Sequence, residues 1–121
     1  MADLFTWVEI PVSDMQRAKT FYQHILGIEQ ELPEKDYGGG MVYSFFPADG
    51  ALVKYEYYVP GQQGACVYLA VQGDLNDTLA KVQAAGGKVI LPKIPLGDTG
   101  PGFAAQILDS EGNRLGLRSP E

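Results

Sequence analysis

The 121-residue sequence contains only one cysteine, Cys66, and only one histidine, His24. A single cysteine cannot form an internal disulfide, which argues against a disulfide-rich secreted domain and favours the reducing cytoplasm. The longest unbroken apolar stretch is the seven residues 65–71, far short of the roughly 20 that a membrane-spanning helix needs. Residues 1–3 begin no basic segment followed by an apolar one, so we expect no secretory signal. A membrane protein is excluded.

Basic residues are also scarce. Nine lysines and arginines stand against fifteen acidic residues, which gives a formal net charge of −6. A chain that repels phosphate at long range is a poor partner for nucleic acid or an anionic membrane surface. A neutral or cationic small ligand suits this charge better. The alternative is that the acidity only keeps the protein soluble.

The chain contains an internal repeat. Its length and its 45% hydrophobic content fit one globular domain over residues 1–121. Residues 7–27 and 66–87 share one pattern, in which alternating apolar residues are followed by an aspartate and, later, a glycine. The sequence therefore predicts two tandem units, about 5–60 and 64–119.

Each unit is predicted to form a strand, a helix and three further strands, which is an α+β fold. In the first unit, Ser13 and Gln16 form a capping-box signature, and Gly27 ends the helix. In the second unit, Asp74 is the candidate cap. The later strands are expected near 28–33, 40–47 and 51–59, and near 88–91, 102–108 and 113–118. Two such units placed side by side would enclose a concave cup.

These features resemble the vicinal oxygen chelate superfamily, which includes glyoxalase I, bleomycin and fosfomycin resistance proteins and extradiol dioxygenases. The resemblance rests on the two βαβββ units, on PVSDMQRAKTFYQHILG after the first strand and on LDSEGNRLGL near the end. It covers nearly the whole chain. It implies a glyoxalase-like fold with mixed sheets but does not specify a reaction, because one scaffold hosts many chemistries.

The resemblance also implies where a metal would be held. Metal-dependent members place His, Gln or Glu ligands on the first and last strands of each unit. The matching positions here are occupied by Trp7, Lys54, Cys66 and Gly116. An indole, an ammonium, a lone thiol and an absent side chain do not form a metal site, since such sites need three or four ligands. We therefore expect neither metal nor cofactor.

Strand alternation predicts which side chains line the cup. Trp7, Glu9, Cys66 and Tyr68 should point into it. In the last strands, Val53, Tyr55, Leu115 and Leu117 are expected to face the helices, which leaves four charged residues in the cup: Lys54, Glu56, Arg114 and Arg118. An aromatic wall with a few charges is typical of a small-molecule pocket.

Several of these residues have more than one interpretation. Burial would raise the pKa of Glu9 and make it a candidate general base, with Lys54 stabilising an oxyanion. Alternatively, Glu9 is exposed or salt-bridged, and Lys54 and Glu56 pair with neighbouring strands. Cys66 is either a small buried hydrophobe or a nucleophile that would need a base beside it. His24 should lie on the solvent side of its helix, too far away to be that base.

Three tyrosines in one segment, Tyr55, Tyr57 and Tyr58, predict a homodimer interface. The glycine-rich stretch 97–102 is expected to be a mobile loop at the mouth of the cup. The favoured function is a small-molecule-binding, glyoxalase-like protein without metal ligands, which takes a neutral or cationic organic compound. The alternatives are a metal-independent lyase or isomerase that uses Glu9, and a protein that works through its outer surface.

Overall fold

The computed structural model describes residues 4–121. Residues 1–3, which bear on the expected lack of a secretory signal, lie outside that range. Within it, eight strands and two α-helices follow one another in two series of the same order. The first series is β1 (Val8–Pro11), α1 (Met15–Leu26), β2 (Glu34–Gly38), β3 (Met41–Phe45) and β4 (Gly50–Lys54). The second is β5 (Val67–Ala70), α2 (Leu75–Ala84), β6 (Lys88–Pro95), β7 (Phe103–Leu108) and β8 (Arg114–Ser119).

Each series forms its own mixed four-stranded sheet. The strand order is β1-β4-β3-β2 in the first sheet and β5-β8-β7-β6 in the second. The first strand of each unit pairs in parallel with the last, and the remaining pairs are antiparallel. This arrangement confirms the predicted α+β fold with a repeated βαβββ unit. The helix between the first two strands of each unit is the crossover that brings the parallel pair together.

Helix α1 begins one residue later than the capping-box signature predicted. The side chain of Asp14, not Ser13, accepts a hydrogen bond of 3.0 Å from the backbone N–H of Arg17. The backbone N–H of Ser13 is instead bound by Glu111 of the second unit. Gly27 ends the helix as predicted, in a left-handed conformation with φ 66°, which glycine adopts without steric cost. Asp74 caps α2 as predicted.

Three strands differ in extent from the expectation. Residues 28–33 form a connection rather than a strand, and β2 lies at 34–38, where every residue is exposed and no apolar pattern marks it. Strand β4 ends at residue 54, because the chain turns back on itself at 55–58. Strand β6 continues to residue 95 instead of ending at 91, with irregular pairing along its length.

The apolar faces of both helices and of both sheets meet in one core. The helix residues Ala18, Tyr22 and Val82 are fully buried. Residues of both units belong to one hydrophobic cluster, and α1 contacts α2 directly. The units therefore pack against each other within one chain. No helix formed by residues 4–121 is long and apolar enough to cross a membrane.

The turn between β7 and β8 ties the units together with polar contacts. The Tyr22 hydroxyl of α1 donates to the buried carboxylate of Asp109. The amide nitrogen of Asn113 donates to the backbone carbonyl of Pro11, at 2.7 Å, and to Asp109. Because buried polar groups need partners, these bonds fix the orientation of the second unit against the first.

Candidate functional site

The register of the first sheet determines which side chains share a face with Glu9. Glu9 lies opposite Ala51, which in turn pairs with Phe45. The next row contains Pro11, Val53 and Tyr43. We call this surface, which is turned away from α1, the Glu9 face; its members are Glu9, Pro11, Tyr43, Phe45, Ala51 and Val53. Trp7, just before β1, is half exposed, and its ring lies 6.2 Å from that of Phe45.

Lys54 and Glu56 are not on the Glu9 face, which corrects the expectation that they line one cavity with Glu9. Lys54 pairs with Val42 on the side of the sheet that faces the helix, and Val53, expected there, lies on the Glu9 face instead. Glu56 lies beyond the end of β4, in the exposed turn.

The error arises because the two turn glycines are not at equivalent positions. Gly112 lies two residues before β8 begins at Arg114, whereas Gly50 is itself the first residue of β4. Counting four residues from the turn glycine, which leads to Gly116 in the second unit, is therefore out of register in the first unit. The residue that corresponds to Gly116 by pairing is Ala51.

Glu9 is surrounded by hydrogen-bond donors from aromatic side chains. The indole N–H of Trp7 donates to Oε2 at 3.1 Å, and the hydroxyl of Tyr58 donates to Oε1 at 2.8 Å. Burial would raise the pKa of Glu9, but hydrogen bonds from Tyr43, Tyr58 and Trp7 together outweigh it, so the pKa is lowered. Burial thus acts in the expected direction, but the net shift of the pKa is downward. The same contact with Glu9 raises the pKa of Tyr43.

Glu9 forms no ion pair within residues 4–121. The ion pairs among residues 4–121 all involve other carboxylates. Around Glu9, aromatic rings continue across the sheet. The ring centroids of Phe45 and Tyr43 are 5.9 Å apart, and those of Tyr43 and Tyr37 are 5.1 Å apart. An ionised carboxylate among aromatic rings can attract a cation by charge and by cation–π contact.

On the second sheet, Tyr68, Gly116, Gln106 and Leu91 form one row. The amide nitrogen of Gln106 donates to the Tyr68 hydroxyl at 2.9 Å and lies 3.9 Å from the sulfur of Cys66. Arg118 is exposed on the same face, which we call the Tyr68 face. Among residues 4–121, no hydrogen bond or ring contact joins the group around Tyr68 to the group around Glu9.

The positions that hold a metal in metal-dependent relatives do not fit one here. The resemblance places them at Trp7, Lys54, Cys66 and Gly116, and the sheet register turns Lys54 away from the Glu9 face. Over residues 4–121, no three His, Cys, Asp or Glu side chains come close enough together to hold a metal ion. A Cβ atom added at Gly116 would lie 2.2 Å from the ring of Tyr68, so that ring fills the space a ligand side chain would need.

A cavity of about 420 Å³ lies beside Glu9, where the two units meet. Its wall includes the connecting segment 59–63 and Arg114, whose guanidinium donates to the carbonyls of Gln62 and Gly64. This volume is within the range of small-molecule sites. A second cavity, apolar and about 360 Å³ in volume, also lies where the units meet, and its wall includes Val8 of β1 and Ala70 of β5.

Sequence reasoning missed Tyr43, Phe45, Tyr58 and Gln106. The strand predicted at 40–47 contains Tyr43 and Phe45 in alternation, but both of its faces are apolar, so the pattern does not indicate which face surrounds Glu9. Tyr58 was assigned only to an interface. His24 is exposed on α1, on the side where it was expected.

Two proteins with glyoxylase names are similar to this chain in sequence. CFP32 of Mycobacterium tuberculosis, which carries a glyoxylase assignment, is 31% identical over 120 residues. That match covers 92% of this chain but 43% of CFP32, so the chain spans less than half the length of that relative. A glyoxylase-like domain-containing protein of Didymella fabae is 33% identical over 113 residues, covering 88% of this chain and 85% of the relative.

Solved structures of glyoxalase-like and antibiotic-binding proteins resemble this chain over nearly its whole length. TnmS3, an antibiotic-binding protein from Streptomyces sp. CB03234, is 28% identical with a TM-score of 0.64, and the match covers 100% of this chain and 99% of that one. The fosfomycin resistance protein FosX of Listeria monocytogenes is 15% identical with a TM-score of 0.68, over 98% and 92% of the two chains. At that identity the similarity concerns the fold alone. The family model of the Glyoxalase/Bleomycin resistance protein/Dioxygenase superfamily matches residues 4–117, and the chain belongs to this superfamily.

Proposed function

We propose that this protein binds a small organic cation on the Glu9 face and does so without a metal. The observation that supports this most directly is the setting of Glu9: Trp7 and Tyr58 donate to its carboxylate, its pKa is lowered, and it forms no ion pair within residues 4–121. The antibiotic-binding activity named for TnmS3, at 28% identity over the full chain, favours binding of an organic compound.

The chemistry of the surface favours a ligand that combines charge with an apolar body. A half-buried carboxylate attracts a cation more strongly than a fully hydrated one, because the surrounding rings reduce the screening by water. The faces of Trp7, Phe45 and Tyr43 add cation–π and apolar contacts. The cavity beside Glu9 would hold the rest of the ligand.

Binding is better supported than proton transfer. A general base works best when its pKa lies near the operating pH, whereas the hydrogen bonds to Glu9 lower its pKa below the ordinary value. Trp7 and Tyr58 also occupy one lone pair on each carboxylate oxygen. A lyase or isomerase with Glu9 as acid or base is therefore the weaker alternative.

The proposal is tested by titrating the protein with proflavine, a planar cation, and with anthraquinone-2-sulfonate, a planar anion of similar size. Calorimetry should show tighter binding of proflavine. Glu9→Gln should weaken proflavine binding by about tenfold, the effect of losing one favourable charge contact. The matched control is Glu56→Gln, which removes an exposed carboxylate outside the Glu9 face. Equal affinities for Glu9→Gln and Glu56→Gln would contradict the proposal.

A homodimer is proposed as the working form. Tyr57 and Val59 are 74% and 75% exposed, and they follow one another closely in the segment that joins the units. Apolar side chains clustered at one surface are typical of interfaces. Light scattering should give twice the chain mass of 13.1 kDa. The double variant Tyr57→Ser with Val59→Ser should reduce the measured mass to that of one chain.

We also propose a cytoplasmic location, since the lone thiol of Cys66 has no disulfide partner among residues 4–121. Cell fractionation tests this location.

A further inference from the structure

Tyr68 is an exposed aromatic ring that is held in a fixed place. The residue pairs with Gly116 in the second sheet and is 45% exposed. A Cβ atom at Gly116 would lie 2.2 Å from Cδ2 and Cε2 of the ring and 2.5 Å from Cγ. Real Cβ atoms do not approach so closely, so the ring occupies space that only a glycine leaves free. Gly116 has no left-handed φ that would require glycine for the backbone itself.

The far end of the ring is fixed as well. Gln106 pairs with Gly116 in the sheet, and its amide nitrogen donates to the Tyr68 hydroxyl at 2.9 Å. The ring is thus packed against the backbone of β8 and tethered at its tip. A side chain that is already ordered loses little rotamer freedom when a ligand binds.

The surroundings of Tyr68 are open and largely apolar, with the exposed Arg118 on the same face. Leu91 lies opposite Gln106 in the sheet, and Ile94 lies opposite Ala104; they are 52% and 56% exposed. A ring that is ordered but left exposed contributes little to a core. The exposed part of the ordered ring is therefore available to a bound molecule.

We infer that Tyr68, placed by Gly116 and Gln106, is the platform on which a planar conjugated ring of the ligand stacks. This inference rests on the proposed function and narrows it: the ligand is a flat aromatic cation rather than a compact alkylammonium ion. Tyr68 supplies offset stacking, and it lines the apolar cavity of about 360 Å³ whose wall also contains Val8 and Ile10, the neighbours of Glu9 in β1.

The first test measures proflavine binding by calorimetry for the wild-type protein, Tyr68→Ala and Tyr68→Phe. Tyr68→Ala should weaken binding by about tenfold, as expected for loss of one stacked ring and its buried area. Tyr68→Phe keeps the ring over Gly116 and should stay within about threefold of the wild type.

The second test uses Gly116→Ala, alone and combined with Tyr68→Ala. Alone, the added methyl group must displace the ring, so both the proflavine affinity and the melting temperature should fall. In the Tyr68→Ala background, where the ring is gone, the same methyl group should change neither. This double-mutant comparison separates a crowded ring from a general defect in β8, because a general defect would lower the melting temperature in both backgrounds.

The outcomes separate the two proposals. If Glu9→Gln weakens proflavine binding while Tyr68→Ala and Gly116→Ala bind it like the wild type, the platform is wrong and the proposed function stands. If the Tyr68 and Gly116 variants weaken binding while Glu9→Gln does not, the platform stands and the charge-based proposal is wrong. A wild-type protein that does not bind proflavine overturns both.

Discussion

Arg17 and Glu111 form a two-point ion pair across the boundary between the two repeat units. The guanidinium Nε lies 2.8 Å from Oε2 of Glu111, and Nη2 lies 3.0 Å from Oε1. The same carboxylate accepts the backbone N–H groups of Ser13 and Asp14, both at 2.8 Å. A side chain of the last hairpin therefore satisfies the start of the first helix, whose N–H groups have no partner inside the helix. Sequence repeats alone do not indicate this contact.

Glu111 should make the protein sensitive to acid. Burial raises its pKa, but the hydrogen bonds from Arg17, Asp14, Ser110 and Ser13 have the larger, opposite effect. The pKa of Glu111 is therefore lowered from the ordinary 4.5 to about 2. A carboxyl whose pKa is lower in the folded state stabilises the fold above pH 4.5, and this contribution is lost as the pH falls towards 2. We expect it to amount to about 2 kcal/mol at pH 7, after allowing for solvent screening at the half-exposed Arg17.

Urea unfolding of the wild type and of Glu111→Gln at pH 7 and pH 3 measures this contribution. The variant should be less stable at pH 7, and the difference should shrink at pH 3. The exposed Glu29, changed to Gln, serves as a control that should leave the unfolding free energy within about 0.5 kcal/mol. A difference between wild type and Glu111→Gln that is the same at both pH values would contradict the prediction.

The buried hydroxyl of Tyr22 should contribute measurably to stability. Tyr22 is fully buried, and its pKa is raised well above the usual value, first by burial and then by the neighbouring carboxylate of Asp109. Tyr22→Phe leaves one oxygen of Asp109 with fewer donors, although Asn113 still donates to it at 3.0 Å. The expected loss is about 1–2 kcal/mol in urea unfolding. Tyr57→Phe, at an exposed tyrosine, should leave the free energy of unfolding almost unchanged. Similar losses of stability for Tyr22→Phe and Tyr57→Phe would contradict the prediction.

Lys19 should stabilise the fold through its aliphatic stem more than through its charge. The residue is 4% exposed, and its ammonium lies 2.8 Å from both Glu31 and Glu34. Those carboxylates are largely solvated, with side chains 77% and 43% exposed. Lys19→Met keeps the stem and should change the unfolding free energy by less than about 1 kcal/mol. Lys19→Ala loses the stem and should cost about 2 kcal/mol. Equal losses in the two variants would show that the charge matters more.

Removing a donor from Glu9 should raise the pKa of its carboxyl. The hydrogen bond from Tyr43 lowers that pKa more than the one from Tyr58. Tyr43→Phe should therefore raise it further than Tyr58→Phe does. A carbon-13 NMR titration of the Glu9 carboxyl carbon measures both shifts. Tyr57→Phe is the control that should leave the pKa of Glu9 unchanged, and the reverse order for the first two variants would contradict this description of the site.

Alternation predicted the faces of the first strands correctly because it depends only on local geometry. Val67 and Leu69 are on the core side, and Tyr68 is on the other side, as expected from a period of two residues. The placement of Lys54 failed because it required the position of the turn glycine relative to the first residue of the strand, and Gly50 lies inside β4 whereas Gly112 precedes β8. A shift of one residue moves a strand's side chains to the opposite face.

The sequence by itself determined the repeated βαβββ units, the apolar faces of both helices and the side of the strand on which Glu9 and Tyr68 lie. These features follow from periodicities and end signals that are read within about 25 neighbouring residues. Only the tertiary structure decided that Tyr43 and Tyr58 lower the pKa of Glu9 and that the ring of Tyr68 occupies the space above Gly116. It also decided that Glu111 binds the backbone N–H groups just before the first helix. Those contacts join residues from different strands and units, and they depend on pairing register and on the packing of one unit against the other, which local sequence patterns do not specify.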